Sequence, residues 1–569
     1  MWVNRATNAG TIHDKMASTS LAEQVPRWSK RVVTELGGRD PLGLSRVSAL
    51  ITDYLLTGII TQTSRARYYS FYPWALWHIE HSEAPSKYNE FNQAFRCREA
   101  FMALCTLNRN PVSSVVGRDA VRPRLERFKE TGEVETNFKV LPSNSMGGYG
   151  QYYGGSLYQL GLTSRNEEGI ERCAPGKGVE IAEAFHEIVR ESPFCKNKYY
   201  EESSFPKKVL EKSARSFSLD ALREPAARRE RQLLLNLFFG WENSEQSEAD
   251  ILRRHTLTLL LHVVHQYNRA GFKPPVGDTD KYLVRPPYYY DVLWPEHKKT
   301  LLYELPPGLN ACRGFWKQFC VHQYLTQGLE HILTAVLESI ASEVGGMEAE
   351  SVSEALSGRD FTSKLRSIFG ESEKPGTVLK QLNISTMSSE SECRQAQEKL
   401  GVGNKHSEER ILDFADGTSQ GNAAVGVAIL AVLFAKWRNC SDRFNQYIYI
   451  NAGPNLCAPP VLSLMDEWLK PQLTWQVALL HLIERFILQQ HDRVMYEKGK
   501  LESCWFHWAD RKIVKDQDYS PGFRASRHWN CVMIMTDLGL LRVDDNGGIS
   551  VTSEGHGALS RLMKDHGAT

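Results

Sequence analysis

No Cys-x-x-Cys pair occurs anywhere in the 569 residues, although there are 11 cysteines. An odd, scattered set of that kind excludes a disulfide framework and a zinc ribbon, and it predicts a reducing compartment, the cytoplasm. Charge of one sign is also lacking. The formal net charge is +1, so any contact with nucleic acid or membrane has to come from local patches. The N-terminal MWVNRATNAGTIHDKM has no apolar run of the signal-peptide kind. The longest apolar run, Ala423 to Ala435, falls short of a bilayer span and reads as a buried helix, so no membrane partner is expected. No glycine-rich turn is followed by Gly-Lys-Ser/Thr, and there is no Gly-x-Ser-x-Gly elbow. His78-Ile79-Glu80 matches half of a zinc-deaminase motif, but the Pro-Cys-x-x-Cys half is missing. His262 and His265 lie three apart without a further ligand set and read as packed or surface histidines. No metal and no cofactor are expected.

What the chain does contain is the composition of a globular protein, 42% hydrophobic and 24% charged. The pattern predicts a mainly α, multi-domain helical protein with small β elements. Its expected divisions are an Arg/Tyr-rich helical region (1–160), a helical middle (161–342), a polar connector that is mobile or loosely helical (343–410), a second helical region (411–496) and a C-terminal module (497–569). In that last module Ala525 to Leu538 reads as a helix, Leu540 to Val543 as a strand, Asp544 to Gly548 as a turn and Ile549 to Thr552 as the return strand. That order is the pattern of a winged helix, with Arg524, Arg527 and His528 on or beside its recognition helix.

Two segments carry the densest chemistry. Ser64-Arg65-Ala66-Arg67-Tyr68-Tyr69-Ser70-Phe71-Tyr72-Pro73-Trp74 reads as a helix that Ser64 caps and Pro73 kinks or breaks. Arg65, Tyr68, Tyr69 and Tyr72 share one face, and Arg67 points away from Arg65. The aromatics are either core, with the arginines pairing acids, or a surface that holds phosphates and stacks flat rings. A split between the two, one face buried and one working, is the third possibility. Asn144 to Leu157, NSMGGYGQYYGGSL, interleaves five glycines with Tyr149, Tyr152 and Tyr153. It reads as a surface loop or as a ligand-lining loop ahead of a helix near Ser156. Val121 to Lys129 and Lys207 to Arg215 are locally basic. The carboxylates nearest the aromatic segments are Asp53, Asp291 and Asp416, candidate acids whose commoner role at such positions is a cap or surface residue.

The run Ile51 to Trp77, with its ARYYSFYPW core, resembles the N-terminal region of little-characterised bacterial proteins of phage-defence loci. The overall make-up is similar to the antiviral DNA glycosylases among them. The resemblance is anchored in about 30 of the 569 residues and carries over no catalytic position. It implies double-stranded phage DNA as partner, with a modified (glucosylated or hydroxymethylated) cytosine flipped into an aromatic pocket and a carboxylate acting at C1′. On that implication Arg65, Arg67, Tyr68, Tyr69 and Tyr72 touch DNA, while Asn144, Tyr149, Tyr152 and Tyr153 wall the pocket. A non-enzymatic DNA-binding or adaptor protein, and a small-molecule-binding regulator, remain open beside it.

Overall fold

A computed structural model describes residues 40–564, apart from 83–84, 86, 168, 242–246, 296–298, 306, 383–399, 439–455 and 500–503. The expected lead-in before Asp40 lies outside the described residues. The elements used below are α1 Leu44–Leu55, α2 Tyr68–Ser82, α3 Tyr88–Arg109, α4 Arg118–Thr131, β1 Glu133–Glu135, α5 Gly154–Gln159, β2 Thr163–Arg165, β3 Glu171–Cys173, α6 Lys177–Val189, β4 Ser204–Pro206, α7 Lys207–Phe217, α8 Arg228–Phe239 and α9 Glu248–Arg269. They continue as β5 Val292–Leu293, β6 Leu301–Leu302, α10 Asn310–Ile340, α11 Arg359–Phe369, α12 Ser419–Trp437, β7 Phe506–Ala509, β8 Lys512–Lys515, α13 His528–Asp537, β9 Leu541–Val543, β10 Ile549–Val551 and α14 Ser553–Lys564. The protein is mainly helical, and its strands form five two-stranded antiparallel sheets among the described residues.

Two helices set the axis of the C-terminal half. On α12 every residue from Gly421 to Trp437 is buried. It packs on α10 through a crossing that only glycine permits. A Cβ on Gly426 would stand 2.6 Å from the Gly328 carbonyl oxygen, and one on Gly328 would stand 2.8 Å from Leu430. At 19 residues α12 is the one helix among those described that is long and apolar enough to cross a membrane, and 89% of its most apolar window is buried inside the protein. Burial, and not shortness, therefore accounts for its composition. The polar stretch after Glu343 is not a loose connector where it is described. Phe361, Leu365, Ile368 and Phe369 recur at helical spacing on α11 and are all buried, which overrides the Ser/Glu/Lys-rich composition.

Helix α1 starts where Asp40 accepts the backbone N–H groups of Leu44 and Ser45, both at 3.0 Å, and the chain turns away at Gly58 with φ 82°. Helix α2 runs through Pro73 without a break. The proline costs the bond to the Tyr69 carbonyl, and the helix is held by complete enclosure, since every residue from Arg65 to Leu76 is buried. Ser64 is not its cap, because the helix begins four residues later. At the C-terminal end the expected helix, strand, turn and strand are present as α13, β9 and β10. The hairpin is held against the end of α9: Asn268 donates to the Ile549 carbonyl and accepts from Val551, and the Ile549 N–H donates to Pro274.

Candidate functional site

Neither arginine of the ARYYSFYPW segment faces a groove. Arg65 is 5% exposed and donates to Asp537 (2.9 Å), Asp220 (2.7 Å), Ser113 (2.8 Å) and the Ser114 carbonyl (3.1 Å). Arg67 is fully buried. It donates from Nε and Nη2 to Glu230, both at 3.1 Å, and from Nη1 to the carbonyls of Ser216 and Ser218, with its guanidinium over the Phe185 ring. The core reading holds for both, and the expectation of a working face on this helix is corrected. A guanidinium this deep is stable only when every donor is matched, and these donors are committed to protein acceptors.

The Tyr segment and the Gly–Tyr loop do come together, as a closed cluster. The Tyr68 ring lies 5.1 Å from Tyr72 and 4.7 Å from Tyr153, and the Tyr72 ring lies 5.6 Å from Tyr149. Their hydroxyls are spoken for. Tyr68 accepts from the Val116 N–H, Tyr69 donates to the Gly58 carbonyl and Tyr72 donates to Glu99. The glycines serve the protein's own side chains. Gly147 has φ 53°, and a Cβ there would overlap the Glu99 carboxylate at 1.7 Å, while one on Gly148 would meet the Tyr72 hydroxyl at 2.6 Å. Residues Tyr149–Tyr153 form a π-helical turn, a geometry that collects at functional sites. Tyr152 is half-buried, and Asn144 is used locally, accepting from the Met146 N–H.

Glu99 is the residue around which this cluster is built, and nothing in its local sequence marks it. One oxygen accepts from Tyr72 (2.9 Å) and the Gly148 N–H (2.8 Å), whereas Oε2 has no hydrogen-bond partner. Burial pushes its carboxyl up to about 7, against the opposing pull of those hydrogen bonds. The cluster reaches the surface through Tyr149, whose hydroxyl donates to Glu171 Oε2 at 2.7 Å. Glu171 sits on β3 and lines a pocket of about 160 Å³ together with Ile79, Glu80, Phe91, Ile170 and Arg172. The pocket opens between the end of α2, the start of α3 and β3. Glu80 is pushed up by burial, with Arg172 and His81 acting against it; its Oε1 makes no hydrogen bond but stands 3.6 Å from the Arg172 Nε as an ion pair. Glu171 instead accepts from both Tyr149 and Arg165. Two carboxyl groups, each with an arginine partner, thus line one small, partly apolar opening.

The carboxylates singled out from the sequence are not at this pocket. Asp53 is an exposed partner of Arg527 (2.6 Å), Asp291 pairs Arg313 (2.6 Å) and Lys317 (3.0 Å), and Asp416 pairs Lys364 (2.7 Å). The Lys364 hydrogen bond holds Asp416 down at about 2. Of the proposed recognition residues, Arg527 and His528 are buried and Arg524 is half-buried. Arg524 binds Glu330 and Tyr519, Arg527 donates to the Ile59 carbonyl, and His528 is enclosed beside Tyr288 and Trp316. Burial pulls the His528 imidazole down to about 3, so the start of α13 offers no imidazolium, and the Arg527 guanidinium at its cap is enclosed. His262 hydrogen-bonds Tyr303 and Gln266. No known family, no curated protein and no solved structure matches this chain.

Proposed function

We propose that the protein is an antiviral hydrolase of N-glycosidic bonds in DNA, excising a modified cytosine of phage DNA to leave an abasic site. The observation that carries the reading is the Glu80/Glu171 pocket. A carboxyl that burial keeps closer to its protonated form can donate to the leaving base. A hydrogen-bonded carboxylate across the same opening can stabilise the developing oxocarbenium ion or orient water toward C1′. Ile79, Phe91 and Ile170 supply apolar walls for a flat ring. At about 160 Å³ the pocket is well below the roughly 300–1,000 Å³ of drug-sized sites, which suits the cytosine ring and requires a glucosyl group on it to stay outside. Residues 528–564, helix, hairpin and helix, keep the element order of a winged-helix-like unit, but DNA contact is assigned away from its buried α13. The reading puts the protein in the cytoplasm, where injected phage DNA arrives.

The test incubates the full chain, with chelator present, with DNA carrying glucosylated or hydroxymethylated cytosine and with unmodified DNA. Release of free base and alkali-labile sites, restricted to the modified DNA, is expected. Glu80→Gln and Glu171→Gln should each lower the rate by about 100-fold or more, the scale of a lost general acid or base. Modified DNA that is bound and returned intact favours the non-enzymatic adaptor. Full activity in both variants removes the pocket from the chemistry.

A further inference from the structure

Neither basic stretch of the sequence lies at the pocket, yet the fold brings the two together. Helix α3 ends at Arg109, whose guanidinium donates to Glu224 (2.5 Å) and to the Arg215 carbonyl (3.3 Å). Arg215, at the end of α7, has a side chain 82% exposed and shares Glu224 at 3.7 Å. From the other side Arg118 and Arg122 of α4 both donate to the Pro111 carbonyl, at 2.9 and 3.4 Å. Four guanidinium groups therefore ring the short turn 109–111, and Glu224 is the carboxylate that two of them share. Lys208 and Lys212 lie on the same exposed strip of α7 as Arg215, at i, i+4 and i+7, and extend the cationic surface along the helix.

The turn is fixed from beneath. Arg65 donates to Ser113, to the Ser114 carbonyl and to Asp220, and Asn110 donates to the second oxygen of Asp220 at 3.1 Å. The buried arginine that the sequence offers as a phosphate ligand is thus a positioning residue for the arginines that are exposed.

We propose that this platform, formed by the end of α3 with the outer faces of α4 and α7, binds the phosphate backbone of duplex DNA. Charge complementarity is the warrant: multiple fork-shaped donors in a fixed cluster match successive phosphates and read no base. The platform also has a defined relation to the pocket. Phe91 at the pocket and Arg109 at the platform sit on one helix, 109 − 91 = 18 residues apart, which is about five turns and about 27 Å. That length corresponds to roughly 8 base pairs of duplex, within the span of one DNA molecule. The choice of DNA as the polyanion rests on the glycosidase reading.

The experiment measures binding of the full chain to labelled, unmodified 30-base-pair duplex by fluorescence anisotropy between 50 and 200 mM salt. Four phosphate contacts predict about a 150-fold loss of affinity across that range. Arg122→Ala/Arg215→Ala, at two exposed positions, should reduce the loss to about 12-fold, while the unfolding midpoint stays at the wild-type value. Failure of the wild-type chain to bind duplex, or an unchanged salt dependence in the double variant, overturns the platform. Base release from modified DNA is scored separately. A platform-dependent duplex complex without base release upholds the platform and sinks the hydrolase reading.

Discussion

The buried Arg67–Glu230 pair offers the sharpest test of whether the ARYYSFYPW segment is interior. Both side chains are 0% exposed. Replacing Arg67 by methionine would leave the Glu230 carboxylate with Ser70 as its remaining hydrogen-bond donor and would strip the Ser216 carbonyl of its guanidinium partner. An uncompensated buried charge of this kind costs about 3–5 kcal/mol, and the same holds for the opposite truncation, Glu230→Leu. Removing both charges together should cost less than the sum by about 2–3 kcal/mol, because neither partner is then orphaned. The assay is a double-mutant cycle in urea followed by tryptophan fluorescence. Trp74 is a nearby reporter, its ring 5.0 Å from the Phe185 ring that Arg67 covers. The coupling energy from the cycle should hardly respond to salt, since a desolvated pair is poorly screened. Single variants within about 1 kcal/mol of wild type, or strict additivity in the cycle, would refute the interior reading.

Glu99 makes stability depend on pH. Its carboxyl is raised by burial from 4.5 to about 7, so its contribution is fully present below the unfolded value and is lost as pH rises through about 7. That difference is worth about 3 kcal/mol, and Glu99→Gln should abolish this part of the decline when urea midpoints at pH 5 and pH 8 are compared with wild type. Gly426→Ala should destabilise by about 1–3 kcal/mol, because the new methyl meets backbone at the α10–α12 crossing and not a movable side chain. Gly557→Ala on α14, where nothing lies within 4 Å, should be neutral or gain up to about 1 kcal/mol from helix propensity, as thermal melts of the two variants side by side would show.

Local patterning made the secondary elements legible. The buried α12 and the β9–β10 hairpin follow from an unbroken apolar run and from turn residues, which act within a few positions. Legibility failed where the deciding partner was distant. Arg67 finds its acid 163 positions along the chain and Arg65 finds Asp537 at a separation of 472. Read alone, an arginine beside tyrosines looks the same whether it will hold a phosphate or a buried carboxylate. Composition misled in the other direction after Glu343, where four apolar residues at helical spacing outweighed the surrounding polar ones. The site fared worst. Glu80 was visible within the rejected His-x-Glu motif, but its companion Glu171 arrives only through the β2–β3 hairpin, and Glu99 is tied to the Gly–Tyr loop 49 positions away. The loop's glycines do mark a close approach, but the approaching group is Glu99 and not a ligand.

The segment that dominates the sequence is therefore central to the fold and enclosed by it. Through Arg65 it joins α13 and the Asp220 turn, through Arg67 it joins α8, and through Tyr72 it holds Glu99 and with it the start of the π-helical turn. The pocket depends on that turn through Tyr149 and Glu171, and the platform depends on Arg65 through Asp220 and Ser113. Loss of DNA binding on substitution of Arg65 is thus poor proof of contact, because the same change removes an ion pair with Asp537 and loosens the turn that presents Arg109, Arg118 and Arg122. The proposed DNA contact is better tested at exposed arginines such as Arg122 and Arg215, where the charge can be removed while the fold is left alone. The same logic separates Tyr149 from Glu171. A tyrosine variant acts on the carboxylate's position, and only the carboxylate itself faces the pocket.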